Sequence, residues 1–140
     1  RRVATGVDPK RLAMIVAVLS RHAGIALGQA DVFVNVAGGV RIDEPGADLG
    51  IALALASAAR GALVPAGVAA FGEIGLTGRL RPATQADRRL GECAKLGLRT
   101  VIVPSGTKSR RGVDVKDVDS LRRAVGAGLA EKRGAIEPAR

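Results

Sequence analysis

The sequence predicts an α+β fold, a mixed β-sheet with helices packed on it. Apolar residues recur at helical spacing in some segments and form short strand-like runs in others, and the two kinds alternate along the 140 residues. One pair of strand-like runs is joined by Gly75-Leu76-Thr77-Gly78 alone, which reads most simply as an antiparallel hairpin. Apolar residues make up 47% of the chain, yet only Phe33 and Phe71 are aromatic. The core must therefore be built from Ala, Val, Leu and Ile, and the length suits one compact domain.

Residues 1–7 read as a linker and residues 8–130 as the domain. Asp8-Pro9 is a helix start, an N-cap acceptor followed by proline at the first helical position. Leu12, Ile15, Val16 and Leu19 continue that helix, and Gly24 stops it after His22 in its last turn. Asp31 to Ala37 alternates Val32, Val34 and Val36 with Phe33, Asn35 and Ala37, a strand pattern. A Gly-Gly connection then leads into a helix expected from about Ala47 to Ala59, in which the run Leu49 to Ala56 is apolar all round, as in a helix buried on most sides. Val68 to Ile74 reads as a second strand and Arg79 to Pro82 as its returning partner. Thr84 to Asp87 resembles a capping box at the start of a third helix, whose stripe is Leu90, Cys93 and Ala94. Arg99 to Pro104 is a short apolar strand suited to burial on both faces. Ser105 to Gly112 is a basic loop. Asp117 or Asp119 is the expected cap of a last helix carrying Leu121, Val125 and Leu129, and residues 131–140 are expected to form a flexible tail.

Charge points to partners. Lys and Arg number 22 against 13 acids, giving +9 at pH 7. A surplus of this size favours polyanions. With no Trp or Tyr, base stacking on aromatic platforms is not the expected mode. Phosphate contact by charge is expected instead, from Arg79 and Arg81 on one strand face, Arg88 and Arg89 on the third helix, and Lys108, Arg110 and Arg111 in the loop. Arg122 and Arg123 read as a solvated face. Cys93 is alone, so a reducing, cytoplasmic setting is expected and no disulfide framework exists. One Cys and one His close no zinc site. No run reads as a membrane span or signal peptide. The opening Arg1-Arg2, without Met, suggests a domain cut from a longer protein.

The residue that stands out is Asp48, a carboxylate entering an apolar helix. A first-turn acid suits the positive helix end. Two carboxylates, Asp48 and Asp87, could share a proton or hold a hard cation. A structural salt bridge to Arg41, Arg88 or Arg89 is the cheaper account.

Three runs carry a family likeness: Asp31-Val32-Phe33-Val34-Asn35-Val36-Ala37-Gly38-Gly39-Val40, then Glu44-Pro45-Gly46-Ala47-Asp48-Leu49, then Phe71-Gly72-Glu73-Ile74-Gly75-Leu76-Thr77-Gly78-Arg79-Leu80-Arg81-Pro82. Ala94 to Leu98 and Val101 to Pro104 continue it. These resemble the C-terminal domain of the bacterial RadA (Sms) family, which is similar to the proteolytic domain of Lon. The resemblance implies the Lon-protease fold, a ring of six such domains, and a parent protein with an N-terminal zinc motif and a RecA-like ATPase that drives branch migration in DNA repair and recombination. ATP, Mg²⁺ and zinc would then belong to those other regions, since no Gly-rich loop ending Gly-Lys-Ser/Thr occurs in this chain. The implied partners are DNA, further copies of the chain and the RecA recombinase.

Lon proteases use a Ser-Lys dyad. By the resemblance, Asp48 occupies the serine position and Asp87 the lysine position. A carboxylate has no hydroxyl with which to attack an amide, and an acid cannot replace the amine base. The expectation is a non-catalytic domain that serves as ring scaffold and sequence-independent DNA-binding surface. The competing expectations are a docking module that never touches DNA and, more weakly, a residual peptidase.

Overall fold

The computed structural model describes residues 1–130; the expected tail lies outside the described residues. Helix α1 (Pro9–Ala23) begins as its sequence dictates. The Asp8 side chain accepts from the Lys10 N–H at 3.0 Å, and Pro9 fills the first helical position, where no N–H is needed. The segment read as a linker is instead a strand: β1 (Arg2–Thr5) runs parallel to β2 (Val32–Asn35), with Arg2 opposite Val32 and Thr5 opposite Asn35. Four residues with a single valine carry no periodic signal; β1 exists because β2 offers it an edge. The Arg2 guanidinium also donates to the carbonyls of Ala30 at 2.7 Å and Leu27 at 3.0 Å.

A single 3₁₀ turn, Pro45–Ala47, leads into α2 (Asp48–Arg60). Leu49, Ala52, Leu53 and Ala56 are buried, whereas Ala54, Ala58 and Ala59 are exposed, so this helix is less enclosed than its composition suggested. The predicted strand Val68–Ile74 is broken in two. β3 (Val68–Ala70) pairs with β6 (Thr100–Pro104), then the chain turns at Phe71-Gly72 into β4 (Glu73–Ile74). Gly72 sits where a side chain cannot: a Cβ there would lie 2.8 Å from the Pro104 ring. Its N–H donates to the Gly46 carbonyl at 2.8 Å and its carbonyl accepts from the Leu49 N–H at 3.1 Å, tying the break to the start of α2.

β4 pairs antiparallel with β5 (Leu80–Arg81), the expected hairpin. Helix α3 (Ala86–Lys95) has no capping box; Gln85 stands at its N-cap with φ 56° and no side-chain cap. β6 is fully interior from Val101 to Pro104. Its other neighbour is β7 (Asp114–Val118), a strand hidden in a charged sequence. It is an outer strand of the three-stranded parallel sheet β3-β6-β7, and charge on such a strand deters pairing with other chains. Asp117 lies inside it, so the last helix, α4 (Leu121–Gly128), is capped by neither Asp117 nor Asp119 but by Ser120, whose Oγ accepts from the Arg123 N–H at 3.2 Å.

Parallel and antiparallel pairs thus coexist, consistent with the expected α+β class. The main core joins α1, α2 and α4 through Leu12, Ile15, Leu19, Leu49, Leu53, Ile102 and Leu121. A smaller cluster of Phe71, Leu90, Val101 and Val103 seats α3 on the other side of the β3-β6-β7 sheet. No helix among the described residues is long and apolar enough to cross a membrane.

Candidate functional site

Asp48 is the buried charge of this domain. It is 1% exposed, the one buried polar or charged side chain among the described residues. Its Oδ1 accepts from Arg11 Nε at 2.7 Å and its Oδ2 from the second arm of the same guanidinium; Oδ2 also accepts from the Ile74 N–H at 3.0 Å. The Arg11 guanidinium reaches on to Glu73 at 3.7 Å. One carboxylate therefore joins α1, α2 and β4. The bidentate fork and the backbone donor satisfy it, and no buried side-chain oxygen or nitrogen among the described residues is left unpaired.

The salt bridge expected for Asp48 is present, but its partner is Arg11 and not Arg41, Arg88 or Arg89. Arg41 pairs with Asp43 at 2.9 Å and Arg89 with Glu44. Arg11 escaped the sequence reading because it lies in the first turns of α1, far from Asp48 in the chain. A signal was there: Arg11 stands four residues before Ile15 and seven before Val18, a cation on a buried stripe. The hydrogen bond to Asp48 holds the Arg11 pKa above its ordinary value, against the opposing effect of burial.

Asp87 is a different kind of residue. Its side chain is 80% exposed, and it accepts from Arg110 at 2.7 Å. It lines a cleft of about 440 Å³ with Pro82, Ala83, Ser105, Thr107 and Lys108, whereas Asp48 lines one of about 210 Å³ with Asp8, Arg11 and Arg41. The two acids thus line separate clefts, each beside its own arginine. No group of three or more His, Cys, Asp or Glu among the described residues is arranged to hold a metal. Cys93, half-buried on α3, has its thiol pKa raised by burial and then by the Glu92 charge.

The basic residues named from sequence divide. Arg89 is committed to Glu44, the Thr84 carbonyl at 2.8 Å and the Phe71 ring, and Arg110 to Asp87. Arg79, Arg81, Arg88, Lys108 and Arg111 are exposed and have no ion-pair partner among the described residues. Arg79 and Arg81 flank a cleft of about 570 Å³ beside Arg11, Met14, Glu73 and Leu76. A further cleft, about 480 Å³ and mostly apolar, opens between β2 and the exposed face of α2, lined by Phe33, Val34, Ile51, Ala54, Leu55 and Ala58. Phe33 is 62% exposed at its rim.

DNA repair protein RadA of Haemophilus influenzae is 42% identical over 127 residues, covering 91% of this chain and 28% of its own length. That of Brucella abortus is 50% identical over 107 residues, 76% of this chain and 23% of its length. The RadA of Mycolicibacterium smegmatis is 43% identical over 126 residues, 89% and 27%. The likeness to RadA expected from the residue runs is thus present over most of the chain, which spans about a quarter of the length of these curated relatives. The family described as "Subunit ChlI of Mg-chelatase" matches residues 9–107, from the first turn of α1 through β6 into the basic loop. By that match the chain belongs to the ChlI family.

Proposed function

We propose that this chain is a catalytically silent, Lon-protease-like domain of a RadA-type DNA repair protein. In this reading it packs as a ring, most simply a hexamer, and presents a sequence-independent DNA-binding surface to an ATP-driven branch-migration motor whose nucleotide and zinc sites lie in other regions. The relatives named for DNA repair support the parent activity; a bacterial, cytoplasmic setting belongs to the same reading.

The observation that carries the non-catalytic reading is the state of Asp48. It stands at the head of α2, where the Lon likeness places a nucleophile, and both its oxygens are engaged by Arg11 and the Ile74 N–H. A carboxylate held in this way has no hydroxyl with which to attack an amide. Asp87 is solvated and paired with Arg110, with no amine in its place. The net charge of +9 and the unpaired Arg79, Arg81, Arg88, Lys108 and Arg111 support DNA as the polyanion.

Fluorescence anisotropy of a labelled duplex, titrated with the chain at two salt concentrations beside a light-scattering mass, tests this. The expected result is an oligomer whose affinity falls steeply with salt. A second reading, a docking module without DNA contact, is favoured by the apolar cleft at Phe33, a surface suited to protein and not to phosphate. An oligomer that ignores DNA at low salt would select it. Cleavage of casein that is lost in Asp48→Ala would overturn the non-catalytic assignment.

A further inference from the structure

The DNA reading just given rests on cations chosen from sequence, and the fold assembles a different set. Three segments remote in sequence meet at one end of α1. Gly78, in the β4–β5 turn, packs directly on the His22 side chain: a Cβ at Gly78 would lie 2.7 Å from His22 Cβ. The Gly78 carbonyl accepts from the Leu121 N–H at 2.8 Å, and Arg79 bridges Ser120, so the hairpin is pinned to the head of α4. The Arg122 guanidinium in turn reaches to 3.9 Å from where a Gly24 Cβ would stand, at the end of α1.

These contacts bring Arg21, Arg79 and Arg122 to one end of the domain. Arg21 lies two helical turns beyond Met14, which lines the hairpin-side cleft with Arg79 and Arg81, so it follows the same helix face. All three are exposed, and none has an ion-pair partner among the described residues. The acids recorded close by each face another cation: Asp119 lies 3.6 Å from Arg123, and Glu73, which shares the cleft with Arg79, lies 3.7 Å from Arg11. By contrast, the face around α3 spends Arg89 on Glu44 and Arg110 on Asp87. Exposed guanidinium groups gathered at one end of a domain, without ion-pair partners of their own, suit a multivalent anion.

We propose that Arg21, Arg79 and Arg122 form a basic face at the junction of α1, the β4–β5 hairpin and α4 that binds the phosphate backbone of DNA. The inference rests on the DNA-binding reading above. It moves the centre of that surface away from the α3 helix and the 105–112 loop, and it adds Arg122, which sequence alone assigned to a solvated face, and Arg21, which the sequence did not single out. Repeating phosphates suit it because spaced guanidiniums contact successive anions by charge, without reading bases.

The test is the anisotropy titration on the 140-residue chain with Arg21→Gln, Arg79→Gln and Arg122→Gln combined, each side chain being exposed so that the fold is spared. Circular dichroism melts serve as the check on folding. The expected result is a loss of affinity of roughly tenfold or more, with the slope of log affinity against log salt reduced by about three, near one per phosphate contact removed. The corresponding lysine variants should keep most of that slope, because charge and not shape is used. Wild-type affinity and slope in the glutamine variant, with binding abolished instead by Arg88→Gln, Lys108→Gln and Arg111→Gln, would overturn the proposal and leave the DNA reading standing. Absence of binding by the unmodified chain at low salt would overturn both, and an acidic protein surface would then be the partner to seek.

Discussion

Replacing Asp48 by alanine should unfold this domain far more readily than its conservative size suggests. The side chain is 1% exposed and holds α1, α2 and β4 together through three hydrogen bonds. Its loss strands the buried Ile74 N–H, at about 1–3 kcal/mol for an unsatisfied donor. Breaking a buried ion pair by removing one partner costs about 3–5 kcal/mol. Here that figure must be discounted, because the Arg11 side chain is 32% exposed and water recovers part of its solvation. The two losses overlap, so about 3 kcal/mol is expected in total, a fall in melting temperature on the order of 10 °C for a chain of this size. The assay is urea denaturation followed by far-ultraviolet circular dichroism, since the chain has no Trp or Tyr to report by fluorescence. Asp48→Asn keeps an acceptor for one donor and should lose less. A double-mutant cycle with Arg11→Met should return a coupling of about 1 kcal/mol or more. A loss below about 0.5 kcal/mol in Asp48→Ala, or no coupling with Arg11, would refute the claim that this pair holds the three elements.

Other consequences follow from single contacts. Gly78→Ala should destabilise by about 3 kcal/mol, because the position has φ 86° and its new methyl would meet His22; denaturation midpoints check this. Arg11 has a raised pKa, so its stabilising contribution is complete below the ordinary arginine range and is lost only as pH climbs through the higher folded value. The stability difference between wild type and Arg11→Met should therefore stay constant from neutral to mildly alkaline buffer. Cys93 should alkylate with iodoacetamide more slowly at neutral pH than an unhindered thiol, since burial and then Glu92 raise its pKa. Glu92→Gln should quicken the reaction, as followed by mass spectrometry.

Elements with their own local signals were legible in the sequence. Asp8-Pro9 and Gly24 bracket α1, the alternating valines mark β2, and the apolar runs mark α2 and β6. The hairpin was visible from its turn residues. Each of these is decided by capping, turn chemistry or periodicity within a dozen residues, which is information the chain carries locally. Asp48 stood out for the same reason, as one acid against an apolar background. The tertiary structure decided what depends on distant partners. β1 and β7 lack periodicity and become strands only where β2 and β6 offer hydrogen-bonding edges. The Val68–Ile74 run divides at Gly72, where the backbone packs against Pro104 and hydrogen-bonds to the start of α2, partners that lie far off in the chain. The partner of Asp48 proved to be Arg11, and Arg21, Arg79 and Arg122 came to share one face, through packing across long stretches of chain. Charge can be counted in a sequence, but which charges face one another is set by how helices and strands pack, and here that packing pairs Asp48 with Arg11 and leaves Arg21, Arg79 and Arg122 exposed without ion-pair partners among the described residues.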